Sequence, residues 1–155
     1  MLVVISIVVV RNYVVEIAVI SGASMEPIII QGDHILINRL AYRSDKPVKG
    51  DIIAIKTGWL MMVKRVLGVP GDIIELKGNI LYRNGEIMPL VQADNRNKGK
   101  PRQFGPSVIS DRHVFVVGDN AEYSIDSRIY GMVKYEEIVG KVVVIYFPPG
   151  RIGRI

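Results

Sequence analysis

The apolar residues of this chain fall into short runs that glycine, proline and polar residues separate. "DHILINRL" (33–40) alternates apolar and polar residues with a period of two, which predicts a strand with one buried face. The Asn84–Gly85 pair lies between short apolar-rich runs and predicts a tight hairpin. Residues 92–112 are polar and predict an exposed loop, and "YEEIVG" (135–140) predicts at most one helical turn. Further strands are predicted at "YVVEIAVI" (13–20), "KPVKGDIIAIKT" (46–57), "HVFVVGDN" (113–120) and "KVVVIYF" (141–147).

The composition supports an all-β chain. Valine and isoleucine dominate the apolar residues, and 15 glycines and 8 prolines interrupt the sequence often. A length of 155 residues suits one domain with its own core rather than two. We therefore predict mainly antiparallel sheets, folded as a compact sheet or a partly closed barrel. A single β domain is expected over residues 13–155, with a short hairpin and loop insertion at about 75–112.

Charge and cysteine content exclude several kinds of site. The 20 Lys and Arg residues exceed the 15 Asp and Glu residues, but they are spread along the chain, so nucleic acid is not an expected partner. The absence of cysteine excludes a disulfide framework, a thiolate nucleophile and a Cys-ligated zinc site. His34 and His113 show no metal-binding spacing, so we expect neither a metal nor another cofactor.

The amino terminus, residues 1–12, begins with the apolar run "MLVVISIVVV". Ten residues are too few to span a bilayer, which needs about 20, and Arg11, Asn12 and Glu16 interrupt the continuation. Two interpretations stay open, a partial membrane anchor, which we favour, and a β-strand. The mean hydropathy of +0.27 also indicates membrane proximity or a large apolar surface.

The stretch "SGASMEP" (21–27) follows an apolar run and offers serine hydroxyls on a turn. A nucleophilic serine needs a base, and both histidines are better explained as ordinary strand or turn residues, which disfavours a Ser/His/Asp triad. Lys64 lies in the apolar stretch "LMMVKRVLGV" (60–69), where either Lys64 or Arg65 must point inward if the strand is half buried. A buried lysine has a lowered pKa and can act as a base near neutral pH. The alternative is a solvent-exposed Lys64.

The stretch "GDNAEYSIDSRIYG" (118–131) combines acids, serines and an arginine between glycines. It is either a solvated turn held by an Asp126/Arg128 pair or a loop that orients a buried lysine and supports a serine.

Together these stretches resemble the type I signal peptidases of bacteria, membrane-bound serine proteases that remove signal peptides from exported proteins. The resemblance covers roughly residues 13–155. It rests on five pieces in order and on a carboxy terminus, "GKVVVIYFPPGRIGRI", that is also similar to that of the family. The five pieces are "SGASMEP" (21–27), "GDHILINR" (32–39), "KGDIIAI" (49–55), "VKRVLGVPGD" (63–72) and "GDNAEYSIDSRIYG" (118–131).

The resemblance implies a role for each matching residue and a signal-peptidase-like fold. Ser24 takes the place of the nucleophile and Lys64 that of the general base. Ser124 matches the serine whose hydroxyl holds the lysine amine, and Asp126 and Arg128 match a salt-bridged pair that shapes the site. A shallow slot for the small residues of an Ala-x-Ala signal is expected to be lined by Ala18, Ile20, Met62 and Val63.

The resemblance further implies signal peptides and a membrane lipid surface as partners, on the extracytoplasmic side of the cytoplasmic membrane. Two departures are visible. Gly22 stands where some members carry a serine that contributes to the oxyanion hole, and the anchor is incomplete. Two rival interpretations are a catalytically inactive homologue and a self-cleaving repressor of the LexA type. The second of these lacks the "PGD" and "GDN" pieces.

Overall fold

The computed structural model describes residues 14–78, 80–88 and 103–155, and antiparallel strands dominate them. A one-turn α-helix at Ser127–Tyr130 and three short 3-10 turns, at Ala121–Tyr123, Tyr135–Glu137 and Pro149–Arg151, complete the regular elements there. The strands are β1 (Val15–Val19), β2 (His34–Asn38), β3 (Ile52–Thr57), β4 (Leu60–Gly68), β5 (Ile73–Lys77), β6 (Ile80–Arg83), β7 (Glu86–Ile87), β8 (Phe104–Val108), β9 (His113–Val117), β10 (Val133–Lys134), β11 (Ile138–Phe147) and β12 (Gly153–Arg154).

The larger sheet has the strand order β1-β2-β11-β3-β4-β9-β10, and β12 pairs with β11. All its pairings are antiparallel, so the predicted antiparallel all-β class is confirmed. Within the described residues β1 and β10 remain its two edges, so the sheet is not closed into a barrel.

The centre of this sheet is buried on both faces. In β3, Ile52 and Ala54 join one apolar cluster while Ile53 and Ile55 join another, because successive side chains of a strand point to opposite faces. The first cluster also contains Met25, from the turn that follows β1. Met25 therefore ties this turn to the core.

The smaller sheet has the order β7-β6-β5-β8, and its inner residues pack against Leu67 and Phe115 of the larger sheet. The predicted hairpin at Asn84–Gly85 is confirmed. Both residues have positive φ, 54° and 83°, as a tight two-residue turn between β6 and β7 requires.

Part of the predicted exposed loop 92–112 is a strand. Residues 104–108 form β8, which pairs with β5 through a register shift. Gly105 and Pro106 gave the segment the local character of a loop, but Phe104 stacks on Phe115, with 5.8 Å between the ring centroids. Long-range pairing and this aromatic contact override the local preference. Residues 92–102 lie outside the described residues.

The amino-terminal segment 1–12 also lies outside the described residues, so both interpretations of it stay predictions. In the part of the chain that is described, every helix is too short to cross a membrane.

Candidate active site

Ser24 lies on the turn between β1 and β2, and its neighbours fix its position. The next side chain, Met25, is 2% exposed and belongs to the core cluster described above. The backbone carbonyl of Ser24 accepts a hydrogen bond from the N–H of Asn120 at 3.0 Å. The buried Met25 side chain and this backbone hydrogen bond therefore hold the backbone of the turn that carries the hydroxyl.

Lys64 reaches this turn from β4. It is 4% exposed, and its Nζ lies 2.7 Å from Ser24 Oγ, across 40 positions of sequence. The solvent-exposed alternative for Lys64 is therefore wrong. Its neighbour Arg65 points to the opposite face of the strand, where Nε and Nη2 each donate to Asp119 at 2.7 Å. The two adjacent cations of "VKR" thus have different environments.

The surroundings of Lys64 favour its neutral form. Burial lowers the pKa of the Lys64 amine, and the nearby Arg128 cation lowers it further, while the Asp126 carboxylate opposes both. The net direction is below the ordinary value. A neutral amine at hydrogen-bond distance from a hydroxyl can accept its proton.

Asp126 is fully buried and its charge is shared among several donors. Arg128 donates from both Nε and Nη2 at 2.8 Å, and the backbone N–H of Gly118 donates at 3.0 Å. Burial alone would raise the pKa of Asp126, but the hydrogen bonds and charge of Arg128 outweigh it and lower that pKa below its usual range. Asp126 is therefore a carboxylate at neutral pH.

The Ser124 hydroxyl donates to Asp126 Oδ2 at 2.6 Å, and its side chain is 1% exposed. Asp126 also accepts from the N–H of Arg128 at 3.2 Å and so caps the helix Ser127–Tyr130. The stretch 118–131 is thus an ordered segment rather than a solvated turn. The expected contact between Ser124 and the amine of Lys64 stays a prediction.

Gly118 is a site residue that sequence reasoning missed. A Cβ placed there would lie 2.4 Å from the carbonyl oxygen of Ser24 and 2.4 Å from Ser124 Oγ. Only a residue without a side chain allows this approach. The glycine that opens "GDN" was visible in the sequence, but its reason lies in a contact between distant segments.

A cleft of about 290 Å³ runs beside the Ser24–Lys64 pair. The four residues expected to contact substrate all line it, and so do two exposed residues that the sequence analysis did not single out, Tyr123 and Ile125. The expected four are Ala18, Ile20, Met62 and Val63.

Both histidines lie elsewhere. His34 contacts the rings of Tyr146 and Phe147, and Nδ1 of His113 is 2.8 Å from the carbonyl of Asp111. Neither residue lines the cleft.

Comparisons with known proteins show which family this chain belongs to. The family described as "Signal peptidase, peptidase S26" matches residues 1–147. A probable signal peptidase I-1 of Synechocystis is 32% identical over 94% of this chain and 78% of its own length. A signal peptidase I of Bacillus caldolyticus is 38% identical over 88% of this chain and 79% of its own length.

Among solved structures, a signal peptidase I from Enterococcus faecalis is 31% identical, with a TM-score of 0.48. The match covers 63% of this chain and 97% of that one. On the family match and the identities to the Synechocystis and Bacillus relatives, the chain belongs to the signal peptidase family, peptidase S26, as a signal peptidase of type I.

Proposed function

We propose that this serine endopeptidase removes amino-terminal signal peptides from exported preproteins with Ser24 as its nucleophile and Lys64 as its general base. The observation that carries the assignment is the 2.7 Å distance between Lys64 Nζ and Ser24 Oγ at a lysine that is 4% exposed. A base must lie within about 2.6–3.2 Å of the proton-bearing atom and hold a free lone pair at the working pH. Proximity supplies the first condition, and the lowered pKa of Lys64 favours the second.

The reaction follows from this geometry. Neutral Lys64 takes the proton of the Ser24 hydroxyl while Oγ forms a bond to the scissile carbonyl carbon. The protonated lysine then gives that proton to the departing amine, the C–N bond breaks, and an acyl ester on Ser24 remains. Water gives a proton to Lys64 as it attacks the ester, and breaking the C–O bond returns the proton to Ser24 and releases the signal peptide as an acid.

In this scheme the oxyanion of the intermediate lies beside the backbone N–H of Ser24. Gly22 offers no hydroxyl, so the backbone N–H of Ser24 is the donor that we assign to the developing charge. An ideal Cβ at Gly22 meets no atom within 4 Å, so the space beside it is open. A hydroxyl introduced there would find room.

We assign the preference for small residues before the cut to the side chains that line the walls of the cleft. Ala18 and Ile20 come from the β1 side, and Met62 and Val63 come from β4. Apolar side chains on both walls suit alanine methyl groups better than charged or extended side chains. We therefore expect an Ala-x-Ala signal to be preferred.

Association with the outer surface of the cytoplasmic membrane is part of the proposal. Trp59 is fully exposed and Leu60 is 60% exposed at the tip of the β3–β4 hairpin, close in sequence to the cleft residues Met61 and Met62. Exposed aromatic and aliphatic side chains suit the interface of a bilayer. Because Trp59 is the sole tryptophan, quenching of its fluorescence by brominated lipid in vesicles tests the contact directly. Unquenched emission in the presence of vesicles would contradict it.

The main test is cleavage of a peptide whose signal segment ends in Ala-x-Ala, measured with the unmodified chain, Ser24→Ala and Lys64→Met from about pH 6 to about pH 10. Loss of cleavage in both variants, with unchanged thermal unfolding, is the expected result. The matched control is Lys56→Met, a lysine exposed on β3, which should cleave normally. Full activity in Ser24→Ala would refute the assignment. An inactive unmodified chain, in detergent and with a good substrate, would favour the inactive-homologue interpretation.

A further inference from the structure

Tyr123 and Ile125 form the cleft wall that neither the expected specificity residues nor the Ser24–Lys64 pair accounts for. Both line the cleft, and they are 61% and 60% exposed. Single exposed apolar side chains are common on protein surfaces, whereas a continuous apolar patch beside a cleft is the kind of surface that binds a ligand. Tyr123 and Ile125 line the same cleft and therefore call for an explanation by function.

The local backbone explains why both side chains face the cleft. Ser124 is extended, with φ −103° and ψ 126°, and Asp126 is extended as well. Side chains alternate in extended backbone, so Ser124 and Asp126 point inward, at 1% and 0% exposure, and Ile125 between them points outward. Tyr123 ends the preceding 3-10 turn and is exposed as well. The same segment thus supports the lysine with one set of side chains and presents an apolar wall with the other.

Hydrogen bonds hold the segment that carries the wall at both of its ends. The N–H of Tyr123 donates to Asn120 at 3.2 Å, and the N–H of Asn120 in turn donates to Ser24. Asp126 accepts the hydrogen bonds described above and fixes the other end. A preordered apolar surface loses little conformational entropy when a peptide binds, so its contact area contributes to affinity.

The position of the wall indicates which part of the substrate it meets. The residues before the cut are assigned to β1 and β4, and the wall comes from a third segment of the chain, which adjoins Ser24 and Lys64 through Ser124 and Asp126. We propose that Tyr123 and Ile125 form a subsite for an apolar or aromatic side chain among the first residues after the cut, at the start of the released mature protein. This inference rests on the proposed function, because it takes the Ser24–Lys64 pair as the cutting centre.

The test compares peptides that share an Ala-x-Ala signal and differ in the second residue after the cut, leucine or phenylalanine against glycine. The unmodified chain should prefer the apolar peptides by about five- to tenfold in kcat/KM, and Tyr123→Ala and Ile125→Ala should each reduce that preference to about twofold. Tyr123→Phe keeps the ring and should retain the preference. Ile152→Ala removes an isoleucine that is 62% exposed and outside the cleft, and it should change nothing.

A binding measurement separates this inference from the proposed function. In the Ser24→Ala background the affinity of the same peptides is measured by calorimetry, with and without Tyr123→Ala. Weaker binding of the apolar peptides alone supports the subsite even if the unmodified chain cleaves none of them, and that lack of cleavage would count only against the proposed function. Equal preference with and without the two side chains overturns the subsite.

Discussion

Replacing Gly118 by alanine is the sharpest test of how the cutting centre is assembled. Gly118 lies where the Ser24 turn meets the segment that carries Ser124 and Asp126. The added Cβ would lie 2.4 Å from the backbone oxygen of Ser24, 2.4 Å from Ser124 Oγ and 2.6 Å from Ser124 Cβ. Each contact falls about 1 Å short of the 3.4 Å at which ordinary van der Waals contact begins. None of these atoms is the end of a long flexible side chain that could swing away.

The size of the effect follows from that shortfall. The Ser24 carbonyl, the Ser124 side chain or both must move by about 1 Å, and either shift changes the environment of the Ser24–Lys64 pair. Displacement of a reacting group by about 1 Å can lower the rate about 10²-fold. We therefore expect Gly118→Ala to reduce kcat about 10²-fold and to leave KM close to that of the unmodified chain, because the walls on β1 and β4 are not touched. Overpacking should also cost about 1–3 kcal/mol of unfolding free energy.

The assay is steady-state cleavage of a fluorogenic Ala-x-Ala peptide, with thermal unfolding followed in parallel so that rates are compared well below the Tm. Gly150→Ala is the matched control, since a Cβ at that position meets no atom within 4 Å and its backbone needs no glycine. It should retain full kcat. A kcat for Gly118→Ala within about threefold of the unmodified chain, with an unchanged Tm, would refute the reasoning, because the contact would then not constrain the site.

Three further outcomes follow from the charges and the open space around the site. The pH profile of kcat/KM should rise along a limb with its midpoint below ~10.4, the ordinary lysine value, because the base that we propose is the neutral amine of Lys64. Arg128→Met should move that midpoint to higher pH, since the Arg128 cation lowers the Lys64 pKa. Gly22→Ser should raise kcat about tenfold if its hydroxyl reaches the oxyanion, and a value at or below that of the unmodified chain would count against the open space beside Gly22. Burial would raise the pKa of Asp33, but hydrogen bonds from Arg151 and the backbone lower it below the ordinary value. The Asp33 carboxylate therefore adds to the free energy of unfolding above its pKa in the unfolded chain, and this stabilisation is lost as the pH falls through its pKa in the folded protein. Asp33→Asn should therefore lower the Tm by about 6 °C at pH 7, with a smaller gap near pH 3 in a thermal melt, and a constant gap would contradict it.

The sequence was sufficient for most of the strands because their signals are local. The alternation in "DHILIN" predicts a strand with one buried face, and the strand has that face. The Asn84–Gly85 pair predicts a tight turn, and both residues have the positive φ of such a turn. Strand β8 was missed because Gly105 and Pro106 disfavour regular pairing locally, while the pairing with β5 and the Phe104–Phe115 contact are distant in sequence. The register of such a strand depends on partners that a local pattern does not contain.

The site also has features that a local pattern predicts and features that it does not. The ion pair of Asp126 and Arg128 spans two positions and was readable in the sequence, whereas the orientation of Lys64 was not. Alternation alone allows either Lys64 or Arg65 to face inward. In the fold Asp119 pairs with Arg65, and Ser24 meets Lys64. Both partners are distant from "VKR" in sequence, so the local pattern does not contain the information that distinguishes the two side chains.

The ion pair beside Lys64 explains how a lysine can be a base so close to a carboxylate. An Asp126 with no partner would attract the proton of the amine and hold Lys64 charged, which would leave no lone pair for the serine proton. Here Arg128 neutralises that carboxylate through two hydrogen bonds, and Ser124 and the backbone of Gly118 occupy further lone pairs. The attraction of Asp126 for the amine is thereby opposed by the Arg128 cation, and burial decides the direction of the Lys64 pKa. The acid and the arginine act as one neutral unit, so replacing Arg128 alone should raise the Lys64 pKa more than replacing both residues, and the pH midpoints of kcat/KM for the two variants measure the difference.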